Sequence, residues 1–115
     1  MAQYPRPNLG RSYDAGTEVT LQGQISRIHA DGGEKPVACT LDVEANNILV
    51  ETGPAWFLVK QSFELLEGHE VIVIGSLVPH KESYAMVARE IHLNGRRLFL
   101  REPCGSPLWK HARCV

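Results

Sequence analysis

The order in which strand-like and helix-like runs follow one another constrains this chain more than any single motif. From Glu18 to Ile28 apolar and polar residues alternate, with Val19, Leu21 and Ile25 on one side and Thr20, Gln22, Gln24 and Ser26 on the other. That is the period-two pattern of a half-buried strand. Gly23 interrupts it where a long strand would bend. Asp31-Gly32-Gly33 offers a turn tolerant of positive φ, and Val37 to Glu44 resumes the alternation with Cys39, Leu41 and Val43 inward. Asn46-Asn47 turns the chain into a third run, Ile48 to Glu51. Thr52-Gly53-Pro54 then stops the strand and opens a helix, because proline is tolerated at the first helical position, where no amide donor is needed. Over Pro54 to Leu66 the spacing puts Trp56, Val59 and Phe63 on one apolar face, which predicts that this face caps a barrel end. Gly68 ends the helical segment, and Glu70 to Val78 and Tyr84 to Leu93 are two further strands. Asn94-Gly95 is a strong signal for a tight hairpin leading into Arg96 to Arg101.

One helix between the third and fourth strands of a small β protein is the arrangement of the OB-fold. The expected architecture is all-β with one short helix: an OB-fold-like, five- to six-stranded Greek-key barrel over residues 17–101. Val19, Leu21, Leu41, Val43, Val73, Val87 and Leu98 are expected inside it. Residues 1–16 read as an N-terminal arm and residues 102–115 as an irregular C-terminal tail, each broken by prolines and glycines. A chain of 115 residues is long enough to bury one core without obligatory metals or disulfides. Apolar runs such as Val71 to Ile74 and Ala55 to Val59 fall far short of the ~18 residues that span a bilayer, so a membrane is not an expected partner.

Several segments together resemble small bacterial proteins of OB type. They are Gly53-Pro54-Ala55-Trp56-Phe57-Leu58, Gly68-His69-Glu70-Val71 through Gly75-Ser76, Ala88-Arg89-Glu90-Ile91, Leu98-Phe99-Leu100-Arg101 and Gly105-Ser106-Pro107-Leu108-Trp109. The resemblance covers roughly residues 17–109. It implies a barrel and an exported or periplasmic location, with a cytoplasmic one as the alternative, and carries no catalytic residue across. The cysteines and the tail from Lys110 to Val115 depart from it.

Charge is unevenly placed. Residues 1–70 carry a balance of −5 and residues 71–115 one of +4. In the last hairpin Arg97, Phe99 and Arg101 alternate with Leu98 and Leu100, and Arg96 lies at the turn. Strict alternation puts Arg97 and Arg101 on the same outward side, as a basic patch. Its expected partner is a protein or a small anionic ligand, and weak self-association through the acidic first half is a further expectation. Trp56 joins these residues as a candidate partner-binding anchor if its ring is exposed.

Other chemistry finds less support. Oligonucleotide-binding barrels stack bases on aromatics of strands two and three, yet Ala15 to Ala55 contains no Phe, Tyr or Trp. Asp42, Glu44 and Glu51 would repel phosphate there. Single-stranded nucleic-acid binding is therefore the alternative reading, not the first. A metal- or redox-linked role is the third, because Cys104, His111 and Cys114 could supply three ligands, although no close C-x₂-C pair accompanies them. In an oxidising compartment Cys104 and Cys114 form the expected disulfide, while Cys39, alternating within a strand, is expected to be a buried inert thiol. No nucleophile, dinucleotide or phosphate-cradling motif is present. The sequence reads as a non-catalytic binding or accessory module with no cofactor beyond that metal set.

Overall fold

A computed structural model describes residues 13–30, 36–81 and 83–110. The elements follow the expected order: β1 (Glu18–His29), β2 (Pro36–Val43), β3 (Asn46–Pro54), α1 (Ala55–Lys60), β4 (Glu70–His80), β5 (Ser83–Leu93) and β6 (Arg96–Phe99). The strands lie in the order β3-β2-β1-β4-β5-β6, and a parallel pairing of β3 with β5 closes the first five into a barrel. β6 is an extra strand on β5. This is the OB-like architecture, with the helix between β3 and β4.

Closure depends on β1, which pairs with β4 through Glu18–Gln24 and with β2 from Gln24 onward. Gly23 lies at that crossing, where an added Cβ would stand 2.2 Å from the Asp42 carbonyl oxygen. Only a residue without a side chain lets the two strands approach so closely. Inside the barrel Ile25, Leu41, Val50, Val73, Met86, Ile91, Leu98 and Leu100 form one core. At the turn between β5 and β6, Asn94 and Gly95 have φ of 53° and 82°, as the expected two-residue hairpin requires.

Four of the expected core positions fall elsewhere or are only half-buried. Leu21 and Val43 are half-buried against the core. Val19 is exposed, because its partner across the strand pair is Gly75, which offers no side chain to cover it. Val87 is buried outside the barrel, in a second cluster with Val78, Ala85, Tyr13 and Leu49. A β-bulge is the cause. The β4–β5 register passes from Ile74↔Glu90 to Gly75↔Ala88, leaving Arg89 as the extra residue. An extra residue reverses which side chains face inward, so Ile91 and Leu93 are in the core on one side of it, and Ala88 and Met86 on the other.

The helix is also shorter than its apolar pattern predicts. It has six residues, and Ser62 at φ 55° ends it. The Ser62 amide donates to the Val59 carbonyl at 2.9 Å and the Phe63 amide to the Leu58 carbonyl at 3.0 Å, a Schellman closure. Phe57, Leu58 and Phe63 are buried, whereas Trp56 and Val59 are exposed. Phe63 reaches the core because the chain has turned back, not because it continues a helical face.

Candidate functional site

The bulge at Arg89 builds the most extensive polar network among the described residues. Because it sets Arg89 and Glu90 on the same outer side of the sheet, the guanidinium can bond two carboxylates at once. Its Nε and Nη2 donate to the two oxygens of Glu18, each at 2.9 Å, and its Nη1 donates to Glu90 at 3.0 Å. The Tyr13 hydroxyl donates to Glu18 at 2.5 Å, and His92 Nε2 lies 2.9 Å from the other Glu90 oxygen. The Arg89 bond, and secondarily that from Tyr13, holds the Glu18 carboxyl below its ordinary pKa. Burial first, and then Glu18, pushes the Tyr13 phenol up to about 12. These bonds keep the Glu18 carboxylate ionised and the Tyr13 phenol neutral, and fasten Tyr13 and the start of β1 to β5. Nothing in the local sequence marks this network, since Ala88-Arg89-Glu90 contains no glycine or proline to signal a bulge.

The arginines expected to form one patch are divided among three environments. Arg96 is a fastening: its Nη1 and Nη2 donate to the carbonyls of Ser62 and Gln61 at 2.8 and 3.3 Å, and its guanidinium lies 5.3 Å from the Phe63 ring centroid. It thus satisfies carbonyls at the C-terminal end of α1. Arg97 is exposed, stacked 5.8 Å over the ring of Phe99, which is itself 46% exposed. Arg101 is only 4% exposed, which corrects the expectation that it would share the outward side of Arg97. Both the Leu100 and Arg101 amides point to the Arg89 carbonyl, at 2.8 and 3.4 Å, so the chain leaves strict alternation after Phe99. Arg101 Nη1 then donates to the Gly105 carbonyl at 2.8 Å, and the guanidinium lies 5.1 Å from the Trp109 ring centroid. Burial lowers its pKa, with the charge of Glu51 acting in the opposite sense.

At the barrel end, α1 places Trp56 and Val59 on its outer side, 46% and 76% exposed. Trp56 meets the buried Phe57 edge-on, with centroids 6.0 Å apart, and Phe57 in turn packs on Trp109 at 5.7 Å. The exposed indole is therefore backed by a packed aromatic row that leads to Arg101.

Cys39 is buried, and burial pushes its thiol up to about 12, which suppresses the reactive thiolate. Cys104 is disulfide-bonded and so is not a thiolate ligand in this state. His111 and Cys114, the rest of the expected metal set, lie outside the described residues, as does the Cys114 half of the expected bridge. Among the described residues no group of three His, Cys, Asp or Glu side chains is placed to hold a metal ion. Nor is any helix there long and apolar enough to cross a membrane.

Residues 17–98 match the MamS/MamX magnetosome protein family, and the chain belongs to that family. Comparison with curated proteins finds no match.

Proposed function

We propose that this chain is a non-catalytic, protein-binding accessory module of the magnetosome, with Trp56 as its anchor. The observation that carries the reading is the orientation of α1. Phe57 and Leu58 enter the core while Trp56 and Val59 face solvent side by side. Tryptophan backed by a rigid, packed neighbour is the kind of residue that dominates protein interfaces. The groups with most chemical potential are engaged in holding the fold: Arg89 with two carboxylates, Thr52 with the Val37 carbonyl at 2.6 Å, and Cys39 within the core. The disulfide at Cys104 favours an exported, oxidising location.

Nucleic-acid binding remains the second reading, and the β3 face argues against it. Glu51, expected on that face, is instead buried, and Leu49 and Ala85 pack with Tyr13 instead of presenting an open stacking surface. The deciding experiment is co-sedimentation with isolated magnetosomes beside retention on single-stranded DNA at low salt. Saturable sedimentation that weakens at least about tenfold in Trp56→Ala, with an unchanged melting temperature, supports the proposal. Equal binding by the variant sinks it, and salt-sensitive DNA retention would put the second reading in its place.

A further inference from the structure

We infer that the outer edge of β6 is a strand-addition site for an extended, acidic segment of a partner protein. This goes beyond the Trp56 surface and is carried by different residues.

Backbone register comes first. In a two-residue hairpin the residues flanking the turn exchange hydrogen bonds, and bonded pairs then alternate with non-bonded ones. Leu93↔Arg96 and Ile91↔Leu98 are bonded pairs, and the Leu100 amide keeps the rhythm by donating to the Arg89 carbonyl. Arg97 and Phe99, opposite His92 and Glu90, therefore direct their N–H and C=O groups away from β5. On that side no strand pairs with β6 among the described residues, and β6 is the last strand in the sheet order. A row of outward donors and acceptors is what an added strand pairs with.

Side chains then select what is added. Arg97 and Phe99 are both exposed on the outer face, two residues apart as successive side chains on one side of a strand. Arg89 is taken by Glu18 and Glu90, Arg96 by two carbonyls, and Arg101 by Gly105. Arg97 forms no ion pair with an acidic side chain among the described residues and stacks on the Phe99 ring. An incoming strand that sets a carboxylate opposite Arg97 and an apolar side chain opposite Phe99 would complete both. Arg96 keeps the template rigid by tying its flank to the end of α1.

Charge also decides against a second copy of this chain as the occupant. Antiparallel pairing of two β6 edges about Leu98 would bring the two Arg97 side chains to diagonal positions on one face, with Cα atoms about 7–8 Å apart, and like charges there repel. The same positive edge discourages indiscriminate pairing, which exposed edge strands otherwise invite.

The test uses the full chain and a synthetic octapeptide in which valine and glutamate occupy alternate positions of one face, with threonine between them. Its controls are the same peptide with lysine for glutamate and an oligothymidylate. Binding is followed by fluorescence polarisation, and the amides of Arg97 and Phe99 by hydrogen exchange. The expected result is saturable binding of the glutamate peptide, weaker as salt rises, with both amides protected. Arg97→Glu should weaken it at least about tenfold and Phe99→Ala several-fold, each without lowering the melting temperature. No binding of the glutamate peptide at about 1 mM overturns the inference. So do equal binding of the lysine peptide, stronger binding of the oligothymidylate, unprotected amides at Arg97 and Phe99, and self-association of the chain through this edge. Trp56→Ala should leave the peptide titration unchanged, so the two surfaces fail or stand separately.

Discussion

Arg97 and Arg101 are four residues apart in one short segment, have the same chemistry, and differ in almost everything the fold does with them. Arg97 extends over an exposed ring with no carboxylate beside it among the described residues. Arg101 is buried against Trp109 and Gly105, with Glu51 close enough to offset part of the cost of its burial. What separates them is the bulge after Phe99, mirrored across the strand pair at Arg89. A single extra residue in each strand turns one arginine into a surface group and the other into a structural one. Side-chain type tells less about a residue's role than its count from the nearest bulge.

The largest expected effect lies on the buried side. Arg101→Met removes the buried guanidinium that donates to the Gly105 carbonyl and lies over the Trp109 ring, and losing a buried hydrogen bond to a charged group costs about 1–3 kcal/mol. Urea denaturation should show the unfolding free energy falling by that amount, as a lower midpoint at unchanged slope. A single variant as stable as the parent would mean that Arg101 is not the buried brace described here.

Next in size is the Glu18–Arg89 clamp. Glu18→Gln keeps the shape but removes the charge from two guanidinium bonds, an expected loss of ~1–2 kcal/mol for a partly exposed pair. The pH dependence has a definite sign. The Glu18 carboxyl titrates below its ordinary range in the folded chain, chiefly because of the Arg89 bond. Its stabilisation is therefore present above that range and disappears as pH falls through the folded value. Acid unfolding followed by circular dichroism should be steeper in the parent chain than in Glu18→Gln; identical acid limbs would remove the clamp from the account.

The strands, the helix position and the last hairpin were all legible, because each rests on a local signal: alternation from Glu18 to Ile28, Thr52-Gly53-Pro54, and Asn94-Gly95. Bulges were not, since Arg89 and Arg101 carry no residue that marks one, and a one-residue slip misassigned both Val87 and Arg101. The helix face failed for a related reason. A helix ending in the left-handed conformation usually has glycine there, but here the residue is Ser62, so the apolar pattern ran on to Phe63 and named Trp56 and Val59 as buried. Candidate residues fared accordingly: Trp56, Arg97 and Phe99 are exposed, Arg96 is a fastening, and Arg101 is buried. The strain at Ser62 is itself open to test. Ser62→Gly relieves the positive φ and should leave stability unchanged or raise it by up to about 1 kcal/mol, with the Arg96 bonds to the backbone kept.

The smallest expected effect completes the comparison. Arg97→Ala removes a guanidinium that stacks on one half-exposed ring and meets no acid among the described residues, so folding stability should change by no more than about 0.5 kcal/mol. A cation over an aromatic at an exposed site contributes about 0.5–1 kcal/mol at most, and part of that returns as freedom of the released ring. Measured in the same urea series, Arg97→Ala and Arg101→Met should differ by several-fold in the shift of midpoint, with equal slopes. A large loss at Arg97 would mean that its outer face is packed in the folded chain. The contrast drawn between the two arginines would then fail, and with it the case for an open edge on β6.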